Sequence, residues 1–598
     1  MTTITDVAPF AGNRFGKVSR ASSSRPIHNA VVAIIFATAT TITQSANAEI
    51  QARSQSALVD SIFAQYDKPD VPGCAVAVIR DGKIVYERGY GLASLEHRVP
   101  IQPGRTAFNI ASATKQFTAA SVLLLVRDGK LTLDDDVHKF IPELPDYGHT
   151  IAVRNLLHHT SGLRDYYTLL GLAFVSSVDF TTDAQTMATI TRQKALDFEP
   201  GSAWGYSSSN YFLLGQIVQR VSGQPLRDFA RDRIFTPLGM HNTQFLARYD
   251  QVVADVATGY QPLPESGYVV DMSNWMTAGP SGLRTTVEDL ARWDSNFYTG
   301  NVGGAWLPEQ LQVRGQLTDG TVIDYGRGLI SEDYRGLESV SHDGSFAGYR
   351  AQLLRFPKEK FSVAVLCNTG QSSPSQFAEK VADIYLADKL KTTHVIPAAN
   401  AKADVGHHTA ISNQNRFVGT YWNRRQGSVR RIEMRDGKLF YVRSADSATE
   451  LVPAGERRLL MKGTPRETEL RFSAGPSGKR TLRVKIAGVG VMQGGASDLL
   501  EVSPYEATAD QLKSNAGRFY STELLTEWQL VALDDHLVLR DPRGQETALV
   551  PAFKDAFLLD DYLLRFNRDA TGEVTGFFVD AGRAMNIRFE RGRDPSDK

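Results

Sequence analysis

The C-terminal part of the chain contains an internal duplication, which restricts its fold more than any other feature of the sequence. Leu439 recurs as Leu537, and the Leu-Val-Pro-Ala segment 451–454 recurs as 549–552, both at an offset of 98 residues. Short runs typical of β-strands alternate with turn residues in both copies. Each copy, with about 90 residues and about six to eight strands, is predicted to form a small antiparallel β-barrel or sandwich. A solenoid is excluded, because its repeats are shorter and more numerous.

The rest of the chain predicts a sheet built from two distant segments. Residues 73–80 and 83–88 flank Asp81-Gly82 and predict a β-hairpin. Strand patterns return over 349–367, whereas residues 112–300 are mainly helical. A sheet with a helical insert between its two halves is an α+β arrangement.

The first 48 residues are interpreted as a secretory signal peptide. Basic residues precede an apolar run over 30–42, and small residues follow at Ala46 and Ala48. The run is too short to cross a bilayer, so stable membrane insertion is not expected. The alternative is a disordered tail rich in serine and threonine. The mature chain is therefore expected to be periplasmic or secreted.

Composition excludes several classes of protein. Lys and Arg number 66, as do Asp and Glu, and this balance argues against a nucleic-acid-binding protein. The two cysteines, Cys74 and Cys367, are too few for a disulfide scaffold or a Cys-rich metal module. Both lie in apolar strand runs, and two buried free thiols are favoured over a disulfide. The adjacent histidines 158–159 and 407–408 do not predict a metal site, and no metal or cofactor is expected.

One motif suggests a nucleophile. Ser112-Ala-Thr-Lys115 is the S-x-x-K match in the chain, and it opens a helix. Residues three apart share a helix face. A serine hydroxyl becomes a nucleophile when a base lies beside it, and a lysine serves as that base when burial lowers its pKa. The alternative is a capped helix with a surface lysine.

Two further segments are candidates for the same site. Tyr206 lies in a turn rich in serine and glycine, just before an apolar helix. His342 and Gly344 precede a strand, and a glycine there allows close approach to the strand edge. Each segment alone is better explained as a packed turn or an ordinary loop.

In this order, the three segments resemble the penicillin-recognising serine hydrolases, which combine S-x-x-K with a tyrosine motif and a K-T-G-like motif. Segments 156–163, 237–240 and 282–290 are similar to the class C β-lactamase (peptidase S12) branch. The resemblance covers residues 55–390. Within the branch, segments 161–166 and 517–521 are similar to D-aminopeptidases, which carry two C-terminal β-barrels.

The resemblance implies a role for each matching residue. Ser112 would form an acyl-enzyme, and Lys115 and Tyr206 would share general-base and general-acid duty. The amides of Ser112 and Ser345 would form the oxyanion hole. His342 would replace the lysine of K-T-G and contact the substrate or tune Tyr206. Gly344 and Ser345 would bind substrate.

Two departures modify this expectation. His342 supplies less fixed positive charge than lysine, so we expect a weak preference for a free substrate carboxylate. Ser208 stands where the family usually has asparagine, and a single hydroxyl replaces an amide donor and acceptor. This favours ester substrates over amides. The resemblance also places the first and last strands side by side, which would bring Cys74 near Cys367.

The sequence thus predicts a β-lactamase/transpeptidase-like α+β domain followed by two small antiparallel β-barrels. The predicted bounds are 1–48 for the signal peptide, 49–390 for the hydrolase, 391–413 for a linker, and 414–505 and 506–598 for the barrels. The expected activity is exported serine hydrolysis of small D-amino-acid amides or short peptides, with one barrel restricting the cleft to short substrates. The alternatives are an esterase, a weak β-lactamase or DD-carboxypeptidase with the same nucleophile, and an inactive protein that binds peptidoglycan fragments. Oligomeric state is not predicted.

Overall fold

The structure is a computed structural model. It describes residue 16 and residues 53–246, 250–275, 277–391, 414–444, 447–464, 467–475, 478–486 and 496–592. The chain divides into two compact units, 1–59 and 60–598. In the first unit, the structure describes residue 16 and the helical residues 53–59. The predicted signal peptide, apart from residue 16, and linker residues 392–413 lie outside the described residues.

The first part of the second unit alternates strands with helices. Its strands are β1 Cys74–Arg80, β2 Lys83–Tyr90, β3 Leu92–Ser94, β4 Val99–Pro100, β5 Phe108–Asn109, β6 Gln244–Phe245, β7 Tyr260–Pro262, β8 Tyr268–Val270, β9 Leu283–Thr285, β10 Ile330–Tyr334, β11 Leu337–Phe346, β12 Tyr349–Phe356 and β13 Phe361–Cys367. Its α-helices are α1 Lys115–Arg127, α2 Val153–Leu157, α3 Tyr166–Leu172, α4 Asp183–Thr191, α5 Ser208–Ser222, α6 Leu226–Ala230, α7 Thr236–Leu238, α8 Val287–Thr299, α9 Trp306–Gln312 and α10 Pro374–Tyr385.

A six-stranded antiparallel sheet joins the two ends of this part, in the order β10-β11-β12-β13-β1-β2. Strands β1 and β13 are neighbouring interior strands of this sheet, and their residues are almost wholly buried. The predicted hairpin around Asp81-Gly82 is confirmed as β1 and β2. The helical residues between β2 and β10 include α1 and α5, whose apolar side chains form the main core. The predicted α+β class is confirmed.

The two cysteines are joined, contrary to the expectation of free thiols. Cys74 opens β1 and Cys367 closes β13, and the antiparallel register places them directly opposite each other. Their Cα atoms are 4.0 Å apart, and a disulfide links the sulfurs. The expectation was wrong because it treated each thiol within its own strand, whereas the register of two strands distant in sequence decides their separation.

The duplicated region forms two closed antiparallel barrels of eight strands each. Barrel 1 consists of β14 Gly419–Asn423, β15 Ser428–Arg435, β16 Lys438–Ser444, β17 Ser447–Gly455, β18 Arg458–Met461, β19 Thr468–Ala474, β20 Arg480–Ile486 and β21 Ala496–Val502. Barrel 2 follows α11 Ala509–Asn515 and consists of β22 Gly517–Ser521, β23 Thr526–Ala532, β24 Leu537–Arg540, β25 Glu546–Phe553, β26 Ala556–Leu559, β27 Tyr562–Arg568, β28 Val574–Asp580 and β29 Ile587–Arg591. Of the two predicted alternatives, barrels are thus confirmed.

The barrels meet the hydrolase part at different places. Leu169 and Leu172 of α3 belong to the apolar core of barrel 2, and the Trp528 indole donates a hydrogen bond to the Leu172 carbonyl at 2.9 Å. Barrel 1 faces β10, β11 and β12 across a cavity. The barrels also touch each other, since the tilted rings of Trp422 and Phe553 pack with their centroids 5.1 Å apart. Among the described residues, no helix is long and apolar enough to span a membrane.

Candidate active site

Ser112 lies on a tight turn rather than on the first turn of a regular helix. The turn is a 3-10 helix, Ala111–Thr114, which leads directly into α1. Ala111 adopts a left-handed backbone conformation with φ of 47°, uncommon for a residue with a side chain. The Asn109 side chain accepts a hydrogen bond from the Ala111 amide at 2.9 Å. This sharp turn leaves Ser112 half-buried and next to Lys115.

Lys115 is fully buried and points at the serine. Its Nζ donates to Ser112 Oγ at 3.1 Å and to the Pro280 carbonyl at 2.8 Å. Burial lowers the pKa of Lys115 to about 7, and the Arg583 guanidinium lowers it further, although Asp165 and Asp343 oppose the shift. Near neutral pH a large fraction of this amine is therefore unprotonated and able to accept the serine proton.

Tyr206 completes the group around the nucleophile. Its hydroxyl is within hydrogen-bonding reach of Ser112, and its ring centroid lies 4.9 Å from Lys115 Nζ. Burial raises the pKa of Tyr206 well above the ordinary value of 10, so the phenol holds its proton at neutral pH. The three residues that the sequence singled out first, Ser112, Lys115 and Tyr206, thus lie together.

His159 supports Tyr206 from behind, and sequence reasoning had considered it only as part of a histidine pair. The two rings are 4.3 Å apart between centroids. His159 Nδ1 accepts hydrogen bonds from the Asn210 side-chain amide at 3.0 Å and from the Ser207 backbone at 3.3 Å. Burial holds the pKa of His159 well below its usual value, so the ring is a neutral wall beside the phenol.

His342 is buried on β11 and bonds to Tyr325 rather than to Tyr206. Its Nδ1 lies 2.6 Å from the Asp343 carbonyl, which can only accept, so Nδ1 carries the proton. Nε2 therefore accepts from the Tyr325 hydroxyl at 3.1 Å. Burial lowers the pKa of His342, which keeps the ring neutral. Its ring centroid is 6.5 Å from that of Tyr206, so any influence on Tyr206 is not a direct hydrogen bond in this geometry.

Gly344 allows β11 to pack against the nucleophile turn. A Cβ atom at this position would lie 2.1 Å from the Ile110 carbonyl oxygen and 3.2 Å from the Ala111 Cβ. The glycine thus makes room for the backbone just before Ser112, whereas the sequence-based reason was access for substrate. Ser345 follows it at the exposed end of β11, close to the same turn. This packing brings the backbone around Ser345 towards Ser112.

Ser208 opens α5 and is almost wholly buried. Its backbone amide donates to the Asp165 carboxylate at 2.6 Å. Asn210 does not replace the missing family asparagine, since its side chain bonds to His159 and accepts from Ser161 Oγ at 2.6 Å. Ser208 is therefore a buried serine at the position where the resemblance expects an asparagine.

Barrel 2 contributes a charged residue that sequence reasoning missed. Arg583, in the loop between β28 and β29, lies with its guanidinium carbon 4.8 Å from the centroid of the Tyr206 ring. It is exposed, and within the described part of the chain no hydrogen bond or ion pair engages its guanidinium. No local pattern identifies this arginine, because only the docking of barrel 2 brings it to the site. The expectation of little fixed positive charge around the substrate was therefore incomplete.

Buried polar contacts fix that loop. Arg164 donates to Glu523 of barrel 2 at 2.8 Å, and both side chains are at most 5% exposed. The Asp165 amide donates to the Arg583 carbonyl at 2.8 Å. The Met585 amide donates to Asp197, whose carboxylate also accepts from Arg164. Arg164 and Asp165 lie in the segment that the sequence linked to D-aminopeptidases. In the structure, their contacts with barrel 2 position the loop that carries Arg583.

Residues 59–387 match the Beta-lactamase family. The chain belongs to this family. Within the Beta-lactamase family it is a serine hydrolase similar to a D-aminopeptidase from Gluconobacter oxydans (strain 621H), with 30% identity over 375 residues, or 62% of this chain and 67% of the relative. A D-aminopeptidase from Brucella anthropi is 26% identical over 536 residues, which cover 87% of this chain and 95% of the relative.

The same family fold occurs in solved structures. The octameric penicillin-binding protein homologue from Pyrococcus abyssi aligns with a TM-score of 0.51 and 23% identity, covering 75% of this chain and 99% of that one. This likeness supports the fold. The second D-aminopeptidase relative extends over most of the chain, so its match includes the region of the barrels.

Proposed function

We propose that this chain is an exported serine hydrolase that forms an acyl-enzyme on Ser112 and hydrolyses small D-amino-acid amides or short peptides. The observation that carries the proposal is the contact of 3.1 Å between Lys115 Nζ and Ser112 Oγ, made by a lysine whose pKa is lowered to about 7. A buried, partly neutral amine beside a half-buried serine is a nucleophile with its base. An inactive binding protein has no need of this arrangement.

The proposed reaction has two stages. In the first, Ser112 Oγ attacks the carbonyl carbon while Lys115 takes the serine proton. The oxyanion accepts hydrogen bonds from the amides of Ser112 and Ser345, and Tyr206 protonates the leaving amine as the amide bond breaks. In the second, water attacks the ester carbon and gives a proton to the Tyr206 phenolate. Protonated Lys115 returns its proton to Ser112 Oγ as the ester bond breaks, which restores the three groups and leaves a free carboxylic acid product.

The relatives supply the substrate class. Two similar proteins, one of them matching nearly the full chain, are D-aminopeptidases. Transfer of this specificity to the present chain predicts that the D-configuration is preferred at the residue whose carbonyl is attacked.

Two observations support export. Residues 1–48 have the pattern of a signal peptide. The disulfide between Cys74 and Cys367 belongs to a class of bond that persists mainly in oxidising compartments. Fractionation of the source cells, with N-terminal sequencing of the mature protein, tests this part. A cytoplasmic protein that retains residues 1–48 would contradict it.

The substrate proposal is tested with the p-nitroanilides of D-alanine and L-alanine on the purified mature chain. Ser112→Ala serves as the blank, because it removes the nucleophile and leaves the fold unchanged. The expected result is a Ser112-dependent rate that clearly favours the D-substrate. Equal rates for both enantiomers would contradict D-specificity, and no Ser112-dependent rate on any amide or ester would contradict a serine hydrolase.

An esterase with the same nucleophile is the second candidate, and Ser208 favours it. Because a buried serine replaces the amide-binding asparagine of the family, an amide substrate has one fewer partner. A p-nitrophenyl ester of D-alanine separates the candidates. Hydrolysis of the ester without the anilide would favour the esterase, and Ser208→Asn would then be expected to gain anilide activity.

The loop of barrel 2 supports the proposed restriction to short substrates. Arg583 lies at the Tyr206 ring, so a long acyl or leaving group on that side meets the loop. We expect rates to fall steeply from D-alanyl dipeptides to tetrapeptides. Equal rates across this series would contradict the restriction.

A further inference from the structure

A large cavity lies between one end of barrel 1 and the sheet of the hydrolase part. It measures about 680 Å³, within the usual range of small-molecule sites. One wall is the outer face of the sheet, where Ser339, Ser341 and Asp343 of β11 line it. Since side chains alternate along a strand, these residues point away from His342, which faces the catalytic side. The opposite wall is the inside of the barrel mouth.

The barrel wall carries two arginines at the same level. Arg430 and Arg443 line the cavity from β15 and β16, and they flank the paired residues Arg431 and Val442 of these neighbouring strands. Within the described residues, neither forms an ion pair. Arg430 donates to the Val429 carbonyl, and Arg443 donates to Thr449 Oγ1 at 2.9 Å. Like charges side by side on adjacent strands repel, and a carboxylate bound between them would offset this cost.

The sheet wall carries the opposite charge. Asp343 is exposed to the cavity, and among the described residues no cation pairs with its side chain. A simple anion, such as phosphate, would meet repulsion from this wall. A molecule with a carboxylate at one end and an ammonium group at the other would match both walls.

We propose that this cavity binds a short zwitterionic peptide, with the peptide carboxylate between Arg430 and Arg443 and its ammonium group towards Asp343. Arginine binds carboxylates through two parallel hydrogen bonds, and two arginines from adjacent strands present several donors to one carboxylate. The Tyr441 hydroxyl and the Gln352 and Gln376 amides line the volume between the ends and offer partners for peptide groups. The cavity lies on the face of β11 opposite to His342, and its ligand need not be hydrolysed.

The test uses the full mature chain carrying Ser112→Ala, titrated calorimetrically with D-alanyl-D-alanine. Arg430→Gln and Arg443→Gln, singly and together, are compared with Arg471→Gln. Arg471 is a matched control, since it is exposed on the outside of barrel 1 and pairs with Glu469. We expect one binding event to weaken by about tenfold or more in each cavity variant and to remain unchanged in the control. An unchanged isotherm in the cavity variants would overturn the proposal.

A second comparison needs no change in the barrel. The N-acetylated dipeptide lacks the ammonium group, and the dipeptide amide lacks the carboxylate. Both should bind to the Ser112→Ala chain at least about tenfold more weakly than the free dipeptide, with the amide weaker of the two. Equal binding of all three probes, or no saturable binding of the free dipeptide, would also overturn the proposal. The same cavity variants are also made in the chain that retains Ser112. If they hydrolyse p-nitrophenyl acetate at an unaltered rate, the substitutions have not disturbed folding.

Discussion

The two barrels share one architecture and a duplicated sequence, yet their ends adjoining the hydrolase part differ. Barrel 2 takes Leu169 and Leu172 of α3 into its apolar core and places Arg583 at Tyr206. Barrel 1 instead encloses a cavity of about 680 Å³ against the outer face of the sheet. Arg430 and Arg443 line the barrel side of this cavity. The inward-facing side chains of the strands stabilise each barrel, whereas the residues at the ends of a barrel determine which parts of the chain it contacts.

This difference means that duplication alone does not assign a role to either copy. Apolar residues that fill the barrels recur in the second copy, as Leu439 does at Leu537, because each barrel needs a similar interior. Contacts with the hydrolase part depend on end residues such as Glu523 and Arg583, which the repeat pattern does not distinguish. Changes at these ends should therefore affect the two barrels unequally.

The largest expected effect comes from Glu523→Ala in barrel 2. The change removes the closer charged partner of buried Arg164 and leaves only the 3.3 Å contact with Asp197. Loss of one partner from a buried pair costs up to about 3–5 kcal/mol. Denaturant unfolding should show this loss, and Ser112-dependent hydrolysis should fall as the Arg583 loop loosens. The matched change in barrel 1 is Asp498→Ala, which breaks an exposed pair with Arg483 worth at most about 1 kcal/mol. Equal losses in the two variants would show that the barrels are anchored alike.

The next effect compares the two faces of β11. Gly344→Ala forces a Cβ atom against the Ile110 carbonyl, and overpacking of this kind costs about 1–3 kcal/mol. We expect kcat/KM to fall strongly, because the turn that carries Ser112 must move. Ser341→Ala, on the cavity face, should change stability by no more than about 0.5 kcal/mol and leave kcat/KM unchanged. Retention of full activity by Gly344→Ala would show that the turn tolerates the shift.

The smallest effect is expected from Arg583→Ala. The nucleophile requires neutral Lys115, so the rate should rise with pH through the lysine pKa of about 7. Removing the nearby cation raises that pKa, because the protonated lysine is no longer repelled. The kcat/KM profile on a p-nitrophenyl ester should therefore move to higher pH, with a loss below pH 7 of about fivefold at most. Arg424→Ala in barrel 1 should not move the profile, and a shift to lower pH in Arg583→Ala would contradict the electrostatic argument.

Local signals in the sequence predicted much of this molecule. Asp81-Gly82 fixes a hairpin through its own backbone preferences, and the spacing of Ser112 and Lys115 brings them together within one helical turn. The repeat predicted two barrel-like units, because the pattern of short strands is itself a property of each copy. Tyr206 and His342 depended on the family resemblance, since no local rule brings them to Ser112.

Long-range geometry accounts for what the sequence did not reveal. The disulfide depends on the register of β1 against β13, across a sequence separation of 293 residues. Arg583 reaches Tyr206 only because Arg164, Asp165 and Asp197 hold its loop. The left-handed backbone of Ala111 is likewise set by its neighbours, so the tight turn at Ser112 was predicted simply as the start of a helix.

The contact between Arg583 and Tyr206 also has a consequence for biosynthesis. The ribosome makes the serine, the lysine and the tyrosine long before it makes the loop of barrel 2. A chain in which barrel 2 has not yet folded therefore has a cleft without Arg583, and Leu169 and Leu172 of α3 lack the core that surrounds them. Completion of the catalytic cleft thus depends on the folding of barrel 2.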